Sequence, residues 1–124
     1  MPERPVFGPG PDTLLADGRP VAPLAVARTA GERRRGLLRT SGVVGALWIT
    51  KAPSVHMVGM RYPIDVAVVD REGVVLLVAT LAPWRGLTRP RFRASATIEA
   101  GAGEMARWGI TTGSTLAIDA GRPA

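Results

Sequence analysis

The chain has 124 residues, 46% of them apolar and 21% charged, enough for one domain that buries more than half of its unfolded surface without disulfide or metal staples. It contains no cysteine, which excludes disulfides, thiol catalysis and cysteine-ligated zinc together. The net charge of +6 rests on fifteen arginines and one lysine, clustered at Arg33, Arg34, Arg35 and Arg39 and again at Arg85, Arg89, Arg91 and Arg93. Such a surface attracts phosphate or acidic partners, or simply solvates the fold.

Glycine and proline, at 15 and 11 residues, are abundant enough to favour many turns and an all-β domain. Residues 1–11 carry four prolines and two glycines and are expected to form a flexible tail ahead of a single domain over 12–124. The N-terminus shows neither an apolar h-region nor a cleavage pattern, and no run of about 18 apolar residues occurs anywhere. The expectation is a cytoplasmic protein with no membrane insertion.

Asp17-Gly18 lies between two apolar runs and supplies the positive φ angles of a tight hairpin, with Pro23 putting the second strand at an edge or bulge. Thr29 and Glu32 have capping-box spacing and predict a short helix to about Leu38. Ala46-Leu47-Trp48-Ile49 reads as a strand. Residues 64–69 and 74–81 are aliphatic on both faces and joined by a turn, so they predict a hairpin buried on two sides in a sandwich or barrel. Residues 83–94 show no period and predict a basic loop. A strand over 96–100, one or two helical turns ending at Gly109 and a last strand over 115–119 complete the chain.

The segment from Val55 to Asp70 holds the only histidine, the only tyrosine and two of the four methionines, with Asp65 set in an apolar run. Around it the order of motifs resembles a bacterial and archaeal family, domain of unknown function 192. Arg35-Gly36-Leu37-Leu38 matches the family's opening pattern, and His56, Met57, Met60, Pro63, Ile64 and Asp65, with Asp70, Gly73 and Val74, match its centre. Residues 98–103 and 109–113 match its close. Many members carry Trp-Met-Lys-Asn where this chain has His56-Met57-Val58-Gly59, so roles of that Trp or Asn do not transfer. The resemblance implies a β-sandwich or barrel of the jelly-roll kind with one or two short helices, and no reaction. Neighbouring pilus-assembly or secretion genes in some relatives imply an accessory role.

Asp65 has two readings. As a structural lock its carboxylate accepts backbone N–H groups of a neighbouring loop or pairs with Arg61. As a site residue it shares a pocket with His56, Tyr62 and Met60 and orients the imidazole. Soft sulfur with imidazole suits Cu(I), yet Met57 points away from His56 and Met60 on an extended strand, and methionine more often fills core gaps. One histidine and no cysteine argue against zinc. No Gly-x-Ser-x-Gly elbow surrounds Ser41, Ser54, Ser95 or Ser114, and no phosphate loop occurs. Glu99 reads as a strand carboxylate paired with an arginine, with a pocket role as the second possibility.

In the basic loop, Trp84, Arg85, Arg89, Arg91, Phe92 and Arg93 interleave aromatics with guanidinium groups, as single-stranded nucleic-acid binders do. The plainer account tucks Trp84 and Phe92 into the core. The leading functional expectation is a non-catalytic binding or accessory module with a protein or small-molecule partner and no cofactor or metal. The alternatives are an enzyme or small-ligand protein around His56, Tyr62 and Asp65, and a nucleic-acid binder through the basic loop.

Overall fold

In the computed structural model, which describes residues 3–121, Asp17 and Gly18 take φ angles of 51° and 80°. These are the left-handed conformations a two-residue hairpin demands, and they join β2 (Asp12–Ala16) to β3 (Arg19–Ala27). The far half of β3, Leu24 to Ala27, also pairs in parallel with β5 (Ala46–Ile49). Pro23, with no N–H to give, sits just before that second ladder begins.

Thr29 caps α1 (Ala30–Arg35) in the expected box: its Oγ1 accepts from Glu32 N at 3.1 Å, and Glu32 Oε1 accepts from Thr29 N at 2.9 Å. The helix stops at Arg35 rather than Leu38. Gly36 turns to φ 49°, ψ −127°, a conformation open to glycine, and takes the chain out of the helix.

The remaining elements are β1 (Val6–Phe7), β4 (Gly42–Val43), β6 (Ile64–Val69), β7 (Val75–Leu81), β8 (Ala96–Gly101), α2 (Glu104–Arg107) and β9 (Leu116–Asp119). Seven strands form one sheet in the order β7-β6-β8-β5-β3-β2-β9, all antiparallel except β3 with β5. A bridge between Val74 and Thr115 brings its two edges together at one end, so the sheet curls into a half-barrel. The chain is thus a single all-β domain with two short helices.

Two expectations change. The segment read as a loose tail contains β1, which pairs in parallel with β4, while Ser41 N donates to Pro5 O at 2.9 Å and Val44 N to Phe7 O at 2.8 Å. A two-residue strand leaves no periodic signature among prolines, and Phe7 anchors it by packing on the core. Residues 1–2 of that segment, like 122–124 of the expected domain, lie outside the described residues. The central hairpin is buried unevenly: every residue of β6 is buried, whereas β7 is an edge strand whose Leu76 to Ala79 are half-buried and whose Thr80 is exposed.

Alternation along the strands divides the core between the two faces of the sheet. Ala46 and Trp48 of β5, Ala67 and Val69 of β6, and Ile98 and Ala100 of β8 point to the face covered by Met105 and Trp108. Leu47, Ile49, Ile64 and Val66 point to the other, with Leu37, Met57 and Met60. Apolar side chains on both faces of β6 therefore follow from cover on both sides.

Candidate functional site

Glu99 sits on β8 opposite Leu47 of β5 and Val66 of β6, so neither neighbouring strand offers it a charge. It is 5% exposed. Among the described residues no donor bonds its carboxyl and no arginine pairs with it, the one ion pair being Arg107 with Glu104. The expected arginine partner is thus replaced by a cavity. A bend at Gly36 crosses above the carboxyl, where a Cβ would stand 3.5 Å from Glu99 Oε1 and 3.7 Å from Ile49 Cδ1. Gly36 and Glu99 both line a space of about 140 Å³.

Leu37, Ile49, Val55 and Met60 line this cavity together with Arg33, Arg34, Arg35, Ser54 and His56, and the exposure of Arg34, Arg35 and His56 puts these three on its solvent side. Burial pushes the Glu99 carboxyl up to about 7, because desolvation disfavours its charged form. Near neutral pH the floor can therefore either donate or accept a proton in a hydrogen bond.

The wall bearing His56 is stitched from two loops. Met57 N donates to Gly86 O at 2.9 Å, Trp84 N to Met57 O at 3.1 Å and Thr88 N to Val55 O at 2.8 Å, while buried Thr88 accepts from Val55 N through its Oγ1 at 2.9 Å. Met60 N then donates to Met57 O at 3.0 Å, so the segment turns instead of running extended. His56 is exposed at the rim, and its Nδ1 accepts from Val58 N at 3.3 Å, which leaves Nε2 free for the mouth. No hydrogen bond joins Ser54, His56 and Glu99 among the described residues, so no nucleophile and base are paired there.

The four residues grouped in the sequence separate. His56 and Met60 line the Glu99 cavity. Tyr62 stands beside it: Thr40 Oγ1 donates to Leu37 O, so the Tyr62 hydroxyl donates to Thr40 Oγ1 at 2.6 Å and steadies the loop after α1. Burial raises the Tyr62 phenol above 10, with the Glu99 charge adding to the effect.

Asp65 points to the opposite face of the sheet. Its Oδ2 accepts from Gly103 N at 3.0 Å and Met105 N at 3.1 Å, and its Oδ1 from Thr80 Oγ1 at 2.6 Å. Gly103, the N-cap of α2, has no side chain to offer, so a carboxylate from β6 satisfies the orphan donors of that helix. The far end of α2 closes with Gly109 N donating to Ala106 O and Ile110 N to Met105 O, the paired bonds of a Schellman motif.

In the basic loop, Arg85, Arg89, Arg91 and Arg93 are exposed, and so are Trp84 at 59% and Phe92 at 93%. The aromatics do not tuck into the core, and Thr88 is the buried residue of this stretch. Trp84 and Arg93 both have positive φ, 67° and 80°. The described residues contain no cluster of three His, Cys, Asp or Glu side chains able to hold a metal, and no helix long and apolar enough to cross a membrane.

For Glu99 the strand expected from the sequence is present, the arginine partner is absent among the described residues, and the second possibility, a place in a pocket, is what the geometry gives. The signal was a carboxylate in Ala96-Thr97-Ile98-Glu99-Ala100, a strand with no other charge.

Two crystal structures share the fold. One is a protein of unknown function from Novosphingobium aromaticivorans DSM 12444, with a TM-score of 0.71 and 20% identity over 86% of this chain and 83% of that one. The other, described as "a putative transcription regulator" from Sinorhizobium meliloti 1021, has a TM-score of 0.75 and 17% identity over 86% of this chain and 92% of that one. At these identities the likeness is one of fold. A search of curated proteins finds no match to the chain. The model of the DUF192 family, described as Uncharacterized ACR, matches residues 13–118, and the chain belongs to that family.

Proposed function

We propose that this domain is a non-catalytic binding module that takes a small ligand into the cavity over Glu99. The observation that supports this most is a carboxyl nine-tenths buried, without a hydrogen-bond donor, opening into space. No fully buried side-chain oxygen among the described residues lacks a partner, so the Glu99 oxygens meet solvent through the cavity, where a ligand donor can take the place of water. The absence of a hydrogen-bonded Ser54–His56 pair supports binding over hydrolysis. A mixture of small amines, acids and neutral molecules, followed by methyl NMR, tests the reading. Shifts are expected at Leu37, Ile49 and Met60, with Leu14, Val69 and Met105 on the opposite face unmoved. A mixture that moves none of the cavity methyls would remove it.

A second reading rests on the exposure of Trp84 and Phe92 beside Arg85, Arg89, Arg91 and Arg93. Stacking faces next to cations suit a single-stranded nucleic acid. Binding that falls steeply with salt would support it, and no binding at low salt would end it.

A further inference from the structure

We propose that the ligand of the Glu99 cavity is a small zwitterion, held with a cationic amine or guanidine head on the Glu99 carboxylate and a carboxylate or phosphate tail at the Arg33–Arg35 rim. The inference rests on the cavity being the binding site and adds the class of molecule that fits it.

Charge is divided along the axis of the site. Its floor is one acidic group flanked by Leu47 and Val66, and its walls are aliphatic. Any donor for that carboxyl therefore comes through the cavity, as water or on the ligand, and a charged donor forms the stronger bond. A bare cation would meet Arg33, Arg34 and Arg35 on the way in, and a bare anion would meet Glu99 at the bottom. A molecule with both charges satisfies each end. Arg33 is already oriented, since its Nη1 donates to Arg28 O, whereas Arg34 and Arg35 are exposed and free to reach over the mouth.

Size narrows the class further. The cavity volume of about 140 Å³ is close to the ~150 Å³ of an engineered cavity that holds benzene. A head and a short aliphatic stem fill it, leaving the anionic tail at the rim. The charged or titratable groups around the carboxyl are Arg33, Arg34 and Arg35 from α1, His56 from the loop wall, and Tyr62 from the segment before β6. Their net effect on a cation is repulsive, which makes the tail a requirement.

The probes are β-alanine, γ-aminobutyrate and δ-aminovalerate, compared with butylamine and butyrate by calorimetry and methyl NMR on the full chain. At least one amino acid is expected to bind about tenfold or more tightly than either single-charge analogue. Glu99→Gln should abolish that advantage, and joint replacement of Arg34 and Arg35 by Ala should reduce it. Binding should strengthen as pH rises through about 7, with proton release seen as a dependence of the heat on buffer, and Glu99→Gln should show neither. Butyrate equal to the amino acids, with Glu99→Gln indifferent, would overturn the zwitterion while leaving the cavity as the site. If none of the probes moves Ile49 or Met60 while other small molecules do, the class again falls alone. If no molecule of any class moves them, the cavity reading falls with it.

Discussion

Burying Glu99 without a partner makes the stability of the fold depend on pH in a direction opposite to that of most paired carboxylates. The unfolded chain releases the Glu99 proton near 4.5, while the folded chain holds it to about 7. Between these values the native state binds more protons than the unfolded state, so stability falls as pH rises. The contribution is fully present below 4.5, is lost progressively on the way to about 7, and is gone above it. The gap corresponds to roughly 3 kcal/mol, a sizeable share of a small domain's total stability. Glu99→Gln keeps the shape and removes the titration. Urea unfolding of both proteins across this pH window is the assay, and taking the difference between them cancels the other titrating groups. The variant should be level with or below the wild type in acid and gain up to about 3 kcal/mol on it above neutrality. A difference that stays flat with pH would mean the carboxyl is solvated or paired in solution, and the cavity argument would fail with it.

Asp65→Asn replaces three charge-assisted bonds with weaker ones and should cost about 2–3 kcal/mol by denaturant unfolding. His56, on the other face of the sheet, should keep its imidazole chemical shifts at fixed pH in that variant, and a clear displacement of them would place the two in one site. Thr29→Ala removes the cap of α1 and should cost about 1 kcal/mol with unchanged β content by circular dichroism. An unmoved denaturant midpoint would show that the box contributes nothing. If the basic loop binds single strands, Trp84→Ala should weaken binding more than any single arginine replacement while leaving stability within about 0.5 kcal/mol. An arginine variant that is worse would mean the contact is electrostatic without stacking.

Local chemistry alone made most of the elements legible. Asp17-Gly18 specifies its turn by φ, Thr29 and Glu32 specify a helix start by spacing, and the aliphatic run of β6 specifies a strand covered on both sides. The opening, central and closing motifs between Arg35 and Gly113 carry the likeness to the family whose model matches residues 13–118. The short pairing of β1 with β4 was invisible, because two-residue strands have no period and exist through their partners. The uneven burial of β7 was invisible for a related reason: edge or centre is a property of the sheet's order, which aliphatic composition does not encode.

The site shows the same division. Sequence determined that Asp65 needs bonding partners, since a carboxylate in an apolar strand cannot stay unsatisfied, and that His56 and Met60 lie near one another on a short segment. Only the tertiary structure decided that Asp65 faces α2 while His56 faces α1. Period-two alternation in β6 puts adjacent residues on opposite sides, but the packing of α1 and α2 decides what each side meets. Glu99 is the clearest case. The chain placed one carboxyl on β8, and the crossing of the Gly36 bend set it beside a cavity instead of an arginine, which depends on how two segments distant in sequence pack.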